Sequence, residues 1–151
     1  MLEVTRKKGM SLIILDILRD NRLHGYGIGE KIEELYGIER PSSGLIYPLL
    51  LSLEKRNLIR VYERGTRDKK VYEITPTGIK YLEEHREEVE MRKKFLRKIG
   101  EFWRMGGHEM VDAIKFLIKN IDSLSNDEKK EIVKAMRDCA KRIRFIVEFG
   151  E

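Results

Sequence analysis

Residues 40–60 read RPSSGLIYPLLLSLEKRNLIR. Pro41, Ser42, Ser43 and Gly44 precede a dense apolar run, Pro48 sits one turn inside it, and basic residues close it. At about 100° per residue, Ile46, Leu49, Leu50 and Leu53 fall on one side of a helix, and Ser43, Gly44, Tyr47, Leu51 and Lys55 fall on the other. A serine before the run is a natural N-cap. The first N–H groups of a helix have no internal partner and, with the positive end of the dipole, they suit a phosphate. Gly44 removes a side chain where a polyanion backbone would approach, and the Tyr47 phenol lies one turn on. Pro48 is early enough to remove about one backbone hydrogen bond, although an interior proline costs ~3 kcal/mol. An N-capped core helix would begin in the same way, so the flanking sequence has to separate the two readings.

Upstream, Met10 to Asp20 is almost wholly apolar and reads as a buried helix. RDNRLHG reads as a loop. Ile28, Ile32 and Leu35 then recur at helical spacing opposite Glu30, Lys31, Glu33 and Glu34, and Gly37 is a suitable C-terminal stop. Downstream, Val61 to Tyr72 alternates in strand fashion around Gly65-Thr66-Arg67-Asp68, which predicts a β-hairpin with a basic tip. Thr75 as N-cap and Pro76 at the first helical position restart a helix that the pattern extends from Thr77 to about Arg104. Its inner residues are Ile79, Leu82, Val89 and Leu96. Gly106-Gly107 breaks it. A further amphipathic helix covers His108 to Asn120. Ser125 with Glu128 forms a capping box ahead of a last helix reaching about Val147. The pattern predicts a mainly α chain with a small β-hairpin wing. Residues 1–78 read as a winged helix-turn-helix domain and residues 79–151 as a helical region.

Charge points the same way. The chain has 151 residues and net charge +5. Residues 40–72 hold eight Lys and Arg against three acids, so the whole excess lies in this stretch. A local basic patch is the footprint of a polyanion partner. A solvated face is the ordinary explanation of a charge run alone; a two-helix unit before it and a basic hairpin after it favour DNA. In a helix-turn-helix the second helix enters the major groove N-terminal end first. Arg40, Ser42, Ser43, Gly44, Tyr47 and Lys55, with Arg64, Arg67, Lys69 and Lys70 of the wing, are the candidate DNA contacts.

LHGYGIGEKI, then RPSSGLIYPLLLSLEKRNLI, then a hairpin ending YEITPTG, together resemble the PadR family of bacterial and archaeal transcriptional regulators. The resemblance covers residues 10 to about 82. It rests on His24-Gly25-Tyr26, Pro41-Ser42, Gly44, Ile46-Tyr47-Pro48, Leu50, Leu53-Glu54 and Tyr72-Ile74-Thr75-Gly78. It implies a winged-helix DNA-binding domain, a C-terminal helical dimerisation region and repression relieved by a small molecule, with no enzyme activity. The sequence departs from the family pattern at Leu45, where a small hydroxyl residue is usual, and at Leu51-Ser52, where basic residues are frequent. The second helix is therefore poor in polar base readers. Leu51 either touches a thymine methyl or packs on the protein.

The stripe Ile132, Met136, Cys139, Ile143 and Ile146 needs a partner, within the chain or in a homodimer, and a buried inert thiol is expected at Cys139. Phe95 and Phe102 join the expected dimer core. Met91 and Trp103 are the candidates for a small aromatic ligand. His24 is expected to pack or cap, and His85 to sit on a solvated face. His108-Glu109 with Asp112 lacks the second histidine of a zinc-hydrolase motif, so no metal or other cofactor is expected. The lone cysteine fits a reducing cytoplasm. The basic-then-apolar N-terminus lacks a cleavage site, and no apolar run reaches the ~18 residues of a membrane span. Two functional classes result: a DNA-binding regulator and a winged-helix protein-interaction module.

Overall fold

A computed structural model describes residues 2–66 and 69–150, and the side chains from residue 8 onward. The elements are α1 (Leu2–Asp20), β1 (Leu23–His24), α2 (Gly25–Tyr36), α3 (Ser43–Lys55), β2 (Ile59–Arg64), β3 (Lys70–Ile74), α4 (Pro76–Glu84), α5 (Arg86–Phe102), α6 (His108–Asn120) and α7 (Asn126–Phe149). A π turn over Trp103–Gly107 follows α5, and a 3-10 turn over Ile121–Ser123 follows α6. The strands form one antiparallel sheet in the order β1-β3-β2.

The chain divides into two compact units, one ending at Gly107 and one beginning at His108. The first unit centres on α1. Leu12, Ile13, Ile14, Leu15, Ile17 and Leu18 are all buried. A helix that is apolar all round belongs in the middle of a core, and α1 packs against α2, α3, α4, α5 and β3. Ile28 and Ile32 of α2 and Ile46, Leu49, Leu50 and Leu53 of α3 close over it. The apolar side expected of residues 40–60 is thus the buried side of α3.

Local chemistry sets the boundaries. His24 Nδ1 accepts a hydrogen bond from the Gly27 N–H at 3.0 Å and caps α2. Gly37 takes φ +64° and its N–H donates to the Glu33 carbonyl at 2.9 Å, ending α2 in the left-handed conformation that favours glycine. Thr75 Oγ1 accepts from the Gly78 N–H at 3.0 Å and donates to the Asn57 carbonyl at 2.7 Å, tying the start of α4 to the end of α3. The capping box at Ser125 and Glu128 is complete, and its hydrogen bonds, from the Ser125 backbone first, hold the Glu128 carboxyl below its usual pKa.

The structure differs from the sequence reading in several places. RDNRLHG is not all loop: Leu23 and His24 pair with Tyr72 and Val71. Two residues are too few to show a period. The expected continuous helix breaks at His85, where φ is −110° and ψ 20°. The His85 ring stacks on Tyr81 at 4.0 Å and its Nδ1 lies 2.8 Å from the Tyr81 carbonyl, so the imidazole lies against the chain at the break. Ile79 is exposed, whereas Leu82, Val89 and Leu96 are buried. Packing carries the first unit well past residue 78, because α4 and α5 lie on α1. A Cβ at Gly100 would overlap the Tyr36 carbonyl oxygen, so α5 crosses the end of α2 in backbone contact. Lys93 of α5 reaches Asp16 of α1 at 3.3 Å. Burial alone would lower the Lys93 pKa, but Asp16 and Glu90 together raise it.

In the second unit, α6 and α7 have no buried residue. Cys139, expected to be buried, is exposed in the single chain. Met136, Ile143 and Ile146 are exposed and Ile132 partly so.

Candidate nucleic-acid interface

One side of the N-terminal half of α3 faces solvent. Ser42 is the N-cap residue in an extended conformation, and its hydroxyl makes no capping bond. Its carbonyl accepts from the Leu45 and Ile46 N–H groups, each at 3.0 Å. The N–H groups of Ser43 and Gly44 have no intrahelical acceptor. Ser42, Ser43, Gly44, Tyr47, Pro48, Leu51, Ser52 and Lys55 are all exposed. A Cβ at Gly44 would meet nothing closer than Ser42 Oγ at 3.8 Å. The fold itself therefore does not require glycine there.

Tyr47 packs over the start of α2. A Cβ at Gly25 would come within 3.0 Å of the Tyr47 ring. Glycine at position 25 thus seats the phenol ring, which remains 52% exposed. Between α3 and the wing lies a cleft of about 500 Å³, lined among others by Tyr26, Tyr47, Leu51, Glu54, Lys69 and Lys70. Tyr72 forms part of its wall, and burial, then the Glu54 charge, raises the pKa of its phenol.

The wing carries the cations. Among the described residues Lys55, Arg64, Lys69 and Lys70 have no carboxylate within ion-pair distance. Arg67 lies outside the described residues. The base of the wing is braced separately. Glu73 accepts from Arg60 Nε at 2.8 Å and Arg22 Nε at 2.9 Å, and these bonds, Arg60's foremost, hold its carboxyl below the ordinary range. The Arg22 guanidinium lies 3.9 Å over the Tyr62 ring. Tyr62 is the extra residue of a bulge, since Val61 pairs with Tyr72 and Glu63 with Val71. Sequence reasoning missed this cluster because Arg22 and Glu73 are far apart in the chain.

Arg40 is placed differently from the other candidates. Its guanidinium bonds Glu33 through Nε at 2.8 Å and Nη2 at 2.6 Å, and lies 4.8 Å over the Tyr26 ring. The bond to Glu33 raises its pKa. Arg40 therefore fastens the turn before α3 to α2. His24, expected to pack or cap, caps α2.

The two ligand candidates do not share a cavity. Met91 and Phe95 line a shallow cleft beside Glu84, Glu87 and Glu88. Trp103 does not line it; twelve residues further along a helix is ~18 Å. Trp103 instead lies against Phe102, ring centres 5.1 Å apart. His108, Glu109 and Asp112 form no metal group: among the described residues no three His, Cys, Asp or Glu side chains are placed to hold an ion. Among those residues, too, no helix is long and apolar enough to cross a membrane.

Known proteins resemble the first unit of this chain in sequence and fold. Residues 14–84 match the Transcriptional regulator PadR-like family, a span running from α1 through α4. Transcriptional regulator YqjI of Escherichia coli is 43% identical over 83 residues, 54% of this chain and 40% of its own length. The chain thus spans about two fifths of the curated relative it matches. A solved transcriptional regulator from Clostridium thermocellum is 32% identical, with a TM-score of 0.51, over 64% of this chain and 96% of its own. A PadR-like transcription factor from Bacteroides fragilis, 22% identical with a TM-score of 0.52, shares the fold over 64% of this chain and 95% of its own. The exposed second helix and the wing beside it are therefore parts of a winged helix-turn-helix, and residues 14–84 belong to the PadR-like family of transcriptional regulators.

Proposed function

We propose that this chain is a sequence-specific DNA-binding regulator that acts in the cytoplasm as a homodimer, represses transcription, and is released by a small aromatic molecule. The observation that carries the DNA reading is the exposed side of α3, at Ser42, Ser43, Gly44 and Tyr47, beside wing cations that have no carboxylate within ion-pair distance among the described residues. On this reading Ser43 and Gly44 offer backbone N–H groups to a phosphate, Ser42 and Tyr47 offer hydroxyls, and Lys55, Arg64, Arg67, Lys69 and Lys70 neutralise the flanking backbone. Arg40 holds α3 in place and contacts DNA only after leaving Glu33. The homodimer rests on the exposed stripe of α7, from Ile132 to Ile146, and on exposed Phe95 and Phe102 of α5. A recognition helix used alone gives modest affinity, and two-fold dimers reading half-sites ~34 Å apart are the common remedy. The candidates for holding the ligand are Met91, in its cleft with Phe95, and Trp103, against Phe102.

The test is fluorescence anisotropy of the full chain on two labelled duplexes across a salt series, one from upstream of its own gene and one scrambled. Specific binding with a steep salt dependence is expected. Neutralising Lys69 and Lys70 should lower the slope of log K against log salt by about one for each phosphate left without its cation. The second reading, a protein-interaction module, draws on the exposed Tyr47 and Leu51. No binding to either duplex at low salt would overturn the DNA reading in its favour.

A further inference from the structure

The exposed face of α3 is short of groups that read bases by hydrogen bonds. Its sequence, SGLIYPLLLSLEK, has no Arg, Asn or Gln. Guanine is read best by Arg or Lys, and adenine by Asn or Gln. Lys55 stands in the last turn, away from the end that enters the groove. The Arg56 guanidinium lies 4.8 Å over the Tyr81 ring. Glu54 is only partly exposed and lines the cleft beside Tyr72. What the face does present is apolar. Leu51 is 52% exposed, one turn beyond Tyr47 and beside exposed Pro48. The structure thus leaves Leu51 free of the core.

We infer that Leu51 is a specificity-determining residue that reads the C5-methyl group of thymine in the major groove. The inference rests on the DNA reading proposed for α3 and the wing, and deepens it. Thymine is the base that offers an apolar group at the major-groove edge. An apolar surface on a protein partner would suit a leucine as well, but Lys69 and Lys70, which line the same cleft as Leu51 and have no carboxylate within ion-pair distance among the described residues, favour a polyanion. The target half-site therefore carries thymine opposite the middle of α3, and its recognition depends on methyl contact more than on hydrogen bonds. Removing one buried methyl should weaken binding about fourfold, ~0.8 kcal/mol.

The experiment starts from duplexes enriched by repeated capture from a random-sequence pool on the full chain. The enriched duplex is then made with thymine, or with deoxyuridine at every thymine position, which removes only the methyl groups. Wild type should bind the uracil duplex at least fourfold more weakly. Leu51→Ala should bind the thymine duplex more weakly and no longer discriminate between the two. Alanine favours the helix, so unchanged circular dichroism and an unchanged salt slope will show that the variant is folded and still holds the backbone. Equal wild-type affinity for both duplexes, or discrimination retained by Leu51→Ala, overturns the inference and leaves the DNA reading standing. Capture of DNA with no sequence enriched overturns it too. No capture of DNA at low salt overturns both.

Discussion

The two compact units both contain apolar helices, and they treat them in opposite ways. In the first unit, α1 turns apolar residues in every direction and all of Leu12 to Leu15 are buried. In the second, α7 carries its apolar residues as a stripe and none is buried in the single chain. An apolar stripe left in water forfeits ~25 cal/mol for each Å² it could have covered. The first unit therefore holds its stability within one chain. The second leaves its apolar stripe uncovered in the single chain, as the dimer proposed for it requires.

Neighbouring residues of α3 show the same contrast on a smaller scale and supply the largest expected effect. Leu50 is fully buried and Leu51 is half exposed. Leu50→Ala should destabilise the fold by ~2–5 kcal/mol in urea denaturation, the usual range for a core leucine. Leu51→Ala should change stability by less than ~0.5 kcal/mol, as exposed positions do. Comparable losses at both sites would mean that α3 has no free face.

The stripe of α7 comes next. Placing carboxylates on it with Met136→Asp and Ile143→Asp should weaken self-association roughly 100-fold, ~2.7 kcal/mol, while leaving the first unit folded. Sedimentation velocity should show a dimer for wild type and a monomer for the variant. Cys139 reports on the same face. Exposed in the single chain, its thiol should react with an alkylating agent faster in the variant than in the wild-type dimer. Equal rates and equal sedimentation would sink the proposed dimer through α7.

How much of this is legible in the sequence depends on range. The burial of Leu50 and the exposure of Leu51 are legible because helical periodicity is local and one face of α3 is uniformly apolar. The caps at Ser125 and Thr75 are legible because they need residues three apart. The strand β1 is not, because two residues carry no period and Leu23 is defined by a partner at Tyr72. The break at His85 is not, because it has neither glycine nor proline. At the site, the exposed start of α3 is visible in Ser42, Ser43 and Gly44. The engagement of Arg40 with Glu33 and Tyr26 is not, since a basic residue before a recognition helix looks the same whether it faces solvent or its own α2. The exposure of Cys139 escapes for a related reason: a stripe shows that a surface wants covering, and its spacing is the same whichever chain covers it.

The smallest expected effect concerns the wing and depends on pH. Glu73 binds Arg60 and Arg22 across the base of the hairpin, and both arginines are well exposed, so solvent screens the pairs. Its carboxyl binds a proton less readily folded than unfolded. The pairing therefore contributes stability above the ordinary value of 4.5 and loses it as pH falls through the lower folded value. Glu73→Gln should be slightly less stable than wild type at pH 7, and the gap should close as pH is lowered below 4.5. Urea midpoints of the two proteins across that range would measure it. A gap that persists in acid would mean that Glu73 acts through packing and not charge. In that case the Arg22 contact with Tyr62, which does not depend on that carboxylate, becomes the brace that holds the wing beside α3.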